Sequence, residues 1–221
     1  MVAFYLVQRL YCFVGPHGRG VRYMNTNKNQ EKNPNPQGKG LVPVLQDWTD
    51  MQPTVQGSRT ATEFLRDYAI SSLVLAAEFR FKPVLGKTYF LYSTESGWKL
   101  SLVAPQEWGQ KPIGDFLARC HLRSDMIWDV ELDDITEGSL SVQRAKNFVQ
   151  GFIEALNGQE SIADSLPSYV AELPYYRRLL AAGLSSSLRC ALPGVGGEVR
   201  TLLKDSGTPL ISWPQGSANT L

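Results

Sequence analysis

The amino-acid sequence predicts an α+β protein: a small antiparallel β-meander packed on an amphipathic helix, with a C-terminal helical extension. Three patterns carry that expectation. Apolar residues recur at three- and four-residue steps from Ala61 to Phe79, an aromatic hairpin pattern follows between Thr88 and Val103, and a second helical stripe begins at Leu140.

The chain opens on an aromatic and aliphatic stretch, residues 1–23, which gives way at Met24 to a run rich in Asn, Pro and Gly. That change of composition reads as an over-extended start, with Met24 as the true one. The run from Asn25 to Gly40 has too little apolar area to offset the entropy of ordering, so a mobile arm is expected. Leu41 to Leu45 is a short apolar strip containing Pro43, which suits an edge strand or an extended segment, anchored by Trp48.

From Ser58 the pattern turns helical through Phe64, Leu65, Tyr68, Ser72, Leu75 and Phe79, with Ser58 or Thr60 as the cap. Pro83 and Gly86 place its end near Phe81 or Lys82. Thr88 to Tyr92 and Trp98 to Val103 flank a Ser-Thr-Glu-Ser-Gly turn. In the second of these strands Trp98, Leu100 and Leu102 are expected on one face and Lys99 and Ser101 on the other. Phe116 to Leu122 and Met126 to Glu131 supply two more strands. Leu140 to Leu156 forms the second long helix, ended by Asn157-Gly158, and short helices near Ser168 to Glu172 and Tyr175 to Leu192 follow, with Pro167 and Pro174 suited to first turns. The expected organisation is a leader and arm over 1–40, an α+β domain over 41–137, a helical extension over 138–192 and a flexible tail over 193–221.

Composition narrows the function classes. Of 221 residues 43% are hydrophobic, and 22 Lys plus Arg stand against 21 Asp plus Glu, leaving a net charge of +1. That balance lacks the broadly basic surface of a nucleic-acid binder, so nucleic acid is not the expected partner. No apolar run approaches the ~20 residues of a membrane span, and the first residues lack the basic start and cleavage site of a signal peptide. Cys12, Cys120 and Cys190 are far apart and odd in number, which yields neither a disulfide framework nor a CxxC clamp. A cytoplasmic location fits reduced thiols. There is no internal repeat.

Tyr89-Phe90-Leu91-Tyr92, Glu95-Ser96-Gly97, the run Ser101-Leu102-Val103-Ala104-Pro105-Gln106-Glu107-Trp108-Gly109, Asp115-Phe116-Leu117, Leu122, Asp125 and Trp128 follow one another in a distinctive order. Over about Tyr89 to Asp134 the chain resembles an uncharacterised domain-of-unknown-function family of bacterial proteins that includes the human chromosome-one open-reading-frame-fifty protein. The Pro-x-Glu-Trp-Gly element is the most specific part of the likeness, and Asn35 to Pro43 is similar to the opening of its bacterial branch. The resemblance brings no catalytic assignment, cofactor or partner with it.

The chemistry-bearing residues have structural readings beside functional ones. Cys120 and His121 are adjacent, so on a strand they face opposite ways and form no dyad. Asp125, Asp129, Glu131, Asp133, Asp134 and Glu137 make an acidic stretch without Lys or Arg; a solvated rim is the expected reading, because Asp134 stands where a calcium loop needs Gly. Glu107 beside Trp108 would suit acid or base work if the ring buried it, against a structural role in capping the turn. Trp98, Trp108, Trp128, Tyr89 and Tyr92 are core candidates that also suit stacking. Gly38-Lys39-Gly40 and Gly194 to Gly197 do not fit a phosphate loop. Tyr175 to Leu180 is an amphipathic patch.

The leading expectation is therefore a non-catalytic interaction or ligand-binding domain, its partner a protein or small molecule, using the sheet face, the loop Pro105 to Gly109 and the acidic edge after Asp125. Glu107, Trp108, Arg119, Asp125 and Trp128 are its candidate binding residues, and no cofactor or metal is implied. The alternatives are a carboxylate-based hydrolase or transferase around Glu107 and carboxylates near Asp125, with or without a divalent ion, and weak single-stranded nucleic-acid binding through the arm bearing Lys28, Lys32 and Lys39 and the aromatic sheet, with Arg177, Arg178 and Arg189 as further cations.

Overall fold

A computed structural model of the protein describes residues 41–54, 59–132, 139–159, 161–167 and 173–195. The leader and arm expected over 1–40, the helix expected at Ser168 to Glu172, the end of the acidic stretch and the tail beyond 195 lie outside these residues. The described elements run α1 (Leu41–Asp50), α2 (Ala61–Ala76), β1 (Thr88–Thr94), β2 (Gly97–Ser101), β3 (Asp115–Leu122), β4 (Trp128–Leu132), α3 (Leu140–Asn157), the short α4 (Ile162–Ser165) and α5 (Tyr175–Val195). A four-stranded antiparallel sheet with helices confirms the α+β class.

Leu41 to Leu45 is helical, not the extended strip expected from Pro43. Pro43 lies in the first turn of α1, where its missing N–H would have had no intrahelical acceptor, so the proline is tolerated. Side chains reinforce the short helix from within, Gln46 Nε2 donating to Asp50 Oδ1 at 2.7 Å and Thr49 Oγ1 to the Leu45 carbonyl at 2.9 Å.

Thr60 caps α2 in a reciprocal box: its hydroxyl accepts from the Glu63 N–H at 3.2 Å, and the Glu63 carboxylate accepts from the Thr60 N–H at 2.9 Å. The backbone N–H and the hydroxyl of Thr60 hold the Glu63 carboxyl below its ordinary pKa. The helix stops at Ala76, well before the end expected near Phe81 or Lys82. Ala77 turns extended, and Glu78 pairs with β2 instead, donating its N–H to the Trp98 carbonyl at 2.8 Å and accepting from the Leu100 N–H at 3.1 Å. A sheet edge offers partners for backbone groups that the helix end would leave unpaired. From α5, buried Arg177 donates Nε and Nη2 to the Leu75 carbonyl at 3.0 and 2.6 Å, placing a cation at the negative end of α2.

The sheet order is β2-β1-β3-β4, so β3 returns beside β1 and leaves the hairpin partner β2 at the edge. This differs from a plain meander in that one step. Leu117 is the extra residue where Leu91 faces Ala118 and Tyr92 faces Phe116, a bulge that sends Leu117 into the core and Phe116 to the opposite face. Paired residues share a face, so Tyr89, Cys120 and Val130 form one inward row, and Leu91, Leu100 and Ala118 another. Leu102 lies past the end of β2 and is 54% exposed rather than continuing the inward row.

The inward face packs on α2, with α3 behind β1 and β3, and α5 against α2. Tyr68 meets Phe152 edge to face at 4.8 Å and its hydroxyl donates to the Ser165 carbonyl. Leu179, Leu180, Leu184 and Leu188 of α5 join the same apolar cluster as the α2 and sheet residues. Helix α5 runs through Pro193 to Val195, beyond the Leu192 limit expected; a proline in the last turn removes only one ladder bond.

Gly183 marks the closest approach in this packing. A Cβ there would lie 2.6 Å from the Met51 carbonyl oxygen and 2.9 Å from Met126 Cγ. Gly183→Ala is expected to destabilise the protein by about 1–3 kcal/mol, the range for overpacking, measured as a lower urea midpoint at unchanged slope. An unchanged midpoint would show that α5 shifts away at no cost.

Candidate functional site

The sheet has two dissimilar ends. At the β3 to β4 end, Arg123 to Ile127 forms a tight turn: the Arg123 N–H donates to the Ile127 carbonyl at 2.9 Å, the Met126 N–H to the Arg123 carbonyl at 3.0 Å, and Met126 holds a left-handed φ of 61°. Asp125, 1% exposed, keeps the turn closed by accepting from the Ile127 N–H at 3.3 Å. Its Oδ2 receives both Arg59 Nη2 and Arg123 Nη2, each at 2.5 Å. Asp67, buried on α2, lies 3.6 Å from Arg59 Nε and 3.7 Å from Arg123 Nη1, while Arg123 Nη1 reaches the exposed Asp129 at 3.3 Å.

Burial pushes the Asp67 carboxyl up, against the opposing pull of Arg123 and Arg59. Desolvation works against the Arg123 charge as well, but the carboxylates of Asp125, Asp67 and Asp129 outweigh it and raise its pKa. Arg59 Nη2 also stands 3.5 Å from Ser187 Oγ of α5. Asp125 is therefore not part of a solvated rim: it is a buried anion shared by two arginines. Sequence reading missed this cluster because its members are far apart in the chain. One signal was present, since Asp67 sits three residues after Phe64 and four before Ser71, on the stripe that faces inward.

The other end belongs to the Pro-x-Glu-Trp-Gly element. Pro105 to Glu107 is a single 3₁₀ turn, closed by the Glu107 N–H donating to the Ala104 carbonyl at 3.0 Å. The Glu107 carboxylate, which is exposed, accepts from the Ala104 N–H at 3.1 Å. It thus caps its own turn and is not enclosed by Trp108. Trp108 instead leans on the sheet: its indole Nε1 donates to the Tyr92 hydroxyl at 3.0 Å, which donates on to the Val103 carbonyl at 2.8 Å. Burial raises the Tyr92 pKa although the indole N–H opposes it.

Tyr92, itself buried, lies on the face of the sheet turned away from the helices. The rows there are Thr88, His121 and Asp129; Ser101, Phe90, Arg119 and Glu131; and Lys99, Tyr92 and Phe116. Phe116 lies 5.6 Å from Tyr92 and 6.2 Å from Phe90, and Trp108 meets Tyr92 edge-on at 6.1 Å. Among the described residues no helix packs on this face, and Phe90, Phe116 and Trp108 keep part of their rings accessible. His121 pairs with the Thr88 hydroxyl at 2.9 Å, on the face opposite buried Cys120, whose thiol pKa burial pushes up.

Five residues were singled out from the sequence, and the fold divides them. Trp108, Glu107 and Arg119 stand on or beside the outward face. Trp128, 2% exposed, is core, meeting Tyr89 edge to face, and Asp125 is enclosed at the opposite end. Six residues of β3 separate Phe116, beside the Trp108 end, from Leu122, which leads into the Asp125 turn, about 20 Å of strand. Glu107 and Asp125 therefore stand at opposite ends of the sheet. Among the described residues no group of three His, Cys, Asp or Glu side chains is arranged to hold a metal ion, and no helix is long and apolar enough to cross a membrane. Phe90 and Phe116 escaped sequence reading as surface residues, because the bulge at Leu117 decides which way Phe116 points.

Residues 57–151 match the model of a family described only as a protein of unknown function, DUF2452. The match covers α2, the whole sheet and most of α3, and so holds both ends of the sheet. No solved structure matches the chain.

Removing one partner of the buried ionic cluster isolates two cations. Asp125→Ala is expected to cost about 3–5 kcal/mol, read from chemical denaturation, because breaking a buried pair leaves uncompensated charge. Asp125→Asn, which keeps the shape and the acceptor for Ile127, should fall between the variant and the native protein. A loss below 1 kcal/mol for Asp125→Ala would remove the cluster from its organising role.

Proposed function

We propose that this protein is a non-catalytic interaction or ligand-binding domain whose contact surface is the outward face of the sheet, centred on Phe90, Phe116 and Trp108. One observation carries the reading. The face holds aromatic rings that the described residues leave partly open, Trp108 held by its hydrogen bond to Tyr92 and Phe116 by ring contact with Tyr92 and Phe90. Pre-set rings present apolar area at little conformational cost, which is how aromatic anchors serve interfaces. Glu107 and Arg119 flank them as polar rim, while Asp125 and Trp128 support the sheet from within.

A protein or small-molecule partner suits this face better than nucleic acid, because Lys99 and Arg119 are matched there by Glu131 and Asp129. We also place the chain in the branch of the unknown-function family that includes bacterial proteins and the human chromosome-one open-reading-frame-fifty protein, and its location in the cytoplasm. The likeness of residues 89–134 and the buried, reduced Cys120 support those two assignments.

The test is capture from native lysate by the tagged full chain, with Trp108→Ala and Phe116→Ser first shown to keep a native unfolding midpoint. Both variants should lose the retained partner at least tenfold in affinity, as truncation of an aromatic anchor does. Glu131→Gln should retain it nearly unchanged. If both aromatic variants bind like the native protein, the outward face is not the contact surface.

A further inference from the structure

We propose that α1 is a hinged strap, latched by Lys82 across Asp47 and Asp50, that releases from the body while the rest of the fold stays intact. A helix ordinarily docks by burying its apolar stripe. Helix α1 does the reverse over residues 43–50: Val44, Leu45 and Trp48 are 49%, 56% and 45% exposed, and burial begins at Met51, just past its end. Apolar burial therefore secures the strap at its Met51 end, while residues 43–50 bury no side chain. That end is firm, because the Met51 carbonyl abuts Gly183 of α5 and the Thr54 N–H donates to the Ser124 carbonyl at 2.8 Å. The hinge is the junction between Asp50, the last residue of α1, and the anchored Met51.

What holds the remaining turns is electrostatic. Lys82 Nζ lies 2.5 Å from Asp47 Oδ1 and 2.8 Å from Asp50 Oδ2. Lys82 itself rides on a rigid support, since Phe79 is buried, Phe81 stacks on Tyr89 at 5.4 Å, and Glu78 is hydrogen-bonded to β2. One side of the latch is thus fixed in the core while the other belongs to a helix whose residues 43–50 bury no side chain. Asp47 also lies against Tyr175 at the start of α5, whose hydroxyl is buried. Release of α1 uncovers that ring. The latch is part-exposed, so salt weakens it, whereas the apolar core is indifferent to moderate salt.

Hydrogen exchange of the full-length protein, resolved by peptide, reads the two regions separately. In Lys82→Met, which keeps the stem and removes the charge, amides of residues 45–51 should exchange roughly three- to tenfold faster than in the native protein, the range for losing two part-exposed ion pairs. Amides of β1 and β3 should be unchanged, Lys82→Arg should restore protection, and the native protein at 0.5 M salt should behave like Lys82→Met. Unchanged exchange of 45–51 in Lys82→Met overturns the proposal, as does acceleration spread equally to β1. If Lys82→Met does not fold, the native salt series decides, and a flat response at 45–51 overturns the strap.

Discussion

The shared carboxylate of Asp125 is the constraint on which the rest of this structure depends. Two guanidinium groups converge on one buried oxygen, and each comes from a different place: Arg59 precedes α2, and Arg123 ends β3. With Asp67 on α2 and Ser187 on α5 nearby, the cluster fixes a helix, a tight turn and the last described helix relative to one another. Burying such charges is costly, and only close mutual pairing offsets it. The geometry is therefore unforgiving, and it locates the β3 to β4 turn against the body of the protein.

That location propagates. The closed turn holds Met126 at positive φ against Gly183, presents the Ser124 carbonyl to Thr54, and lets the Trp128 N–H reach Ser71 Oγ at 3.1 Å. Trp128 then enters the core beside Tyr89, and β4 is registered on β3. With the inward face committed to α2 and α3, alternation leaves Phe90, Arg119 and Phe116 on the far side. The outward face is a consequence of how the inward one is locked. The two ends of the sheet consequently differ in kind, one closed by charge and the other by the neutral hydrogen-bond chain from Trp108 through Tyr92 to Val103.

Segments on either side of the family-matched stretch meet on its surface. Helix α1 precedes residues 57–151 and α5 follows them, yet Met51 and Gly183 touch, and Arg177 caps α2. Helix α5 contributes Leu179, Leu180, Leu184 and Leu188 to the common core, whereas α1 leaves Val44, Leu45 and Trp48 exposed and meets Lys82 through Asp47 and Asp50.

The sequence by itself determined the α+β class, the presence of helices at α2, α3 and α5 and all four strands to within two residues, and it narrowed the cap of α2 to Ser58 or Thr60, because period, turn residues and capping are local properties. It also separated Cys120 from His121. Only the tertiary structure decided that α2 ends at Ala76, since the competing acceptor for Glu78 lies on β2, and that Pro43 sits inside a helix. It alone decided that Asp125 is buried, that Glu107 is a surface cap, and that a bulge turns Phe116 outward. Each of these depends on partners tens of residues away, and the energy of a buried charge or a sheet edge is set by what meets it in space, which no local pattern encodes.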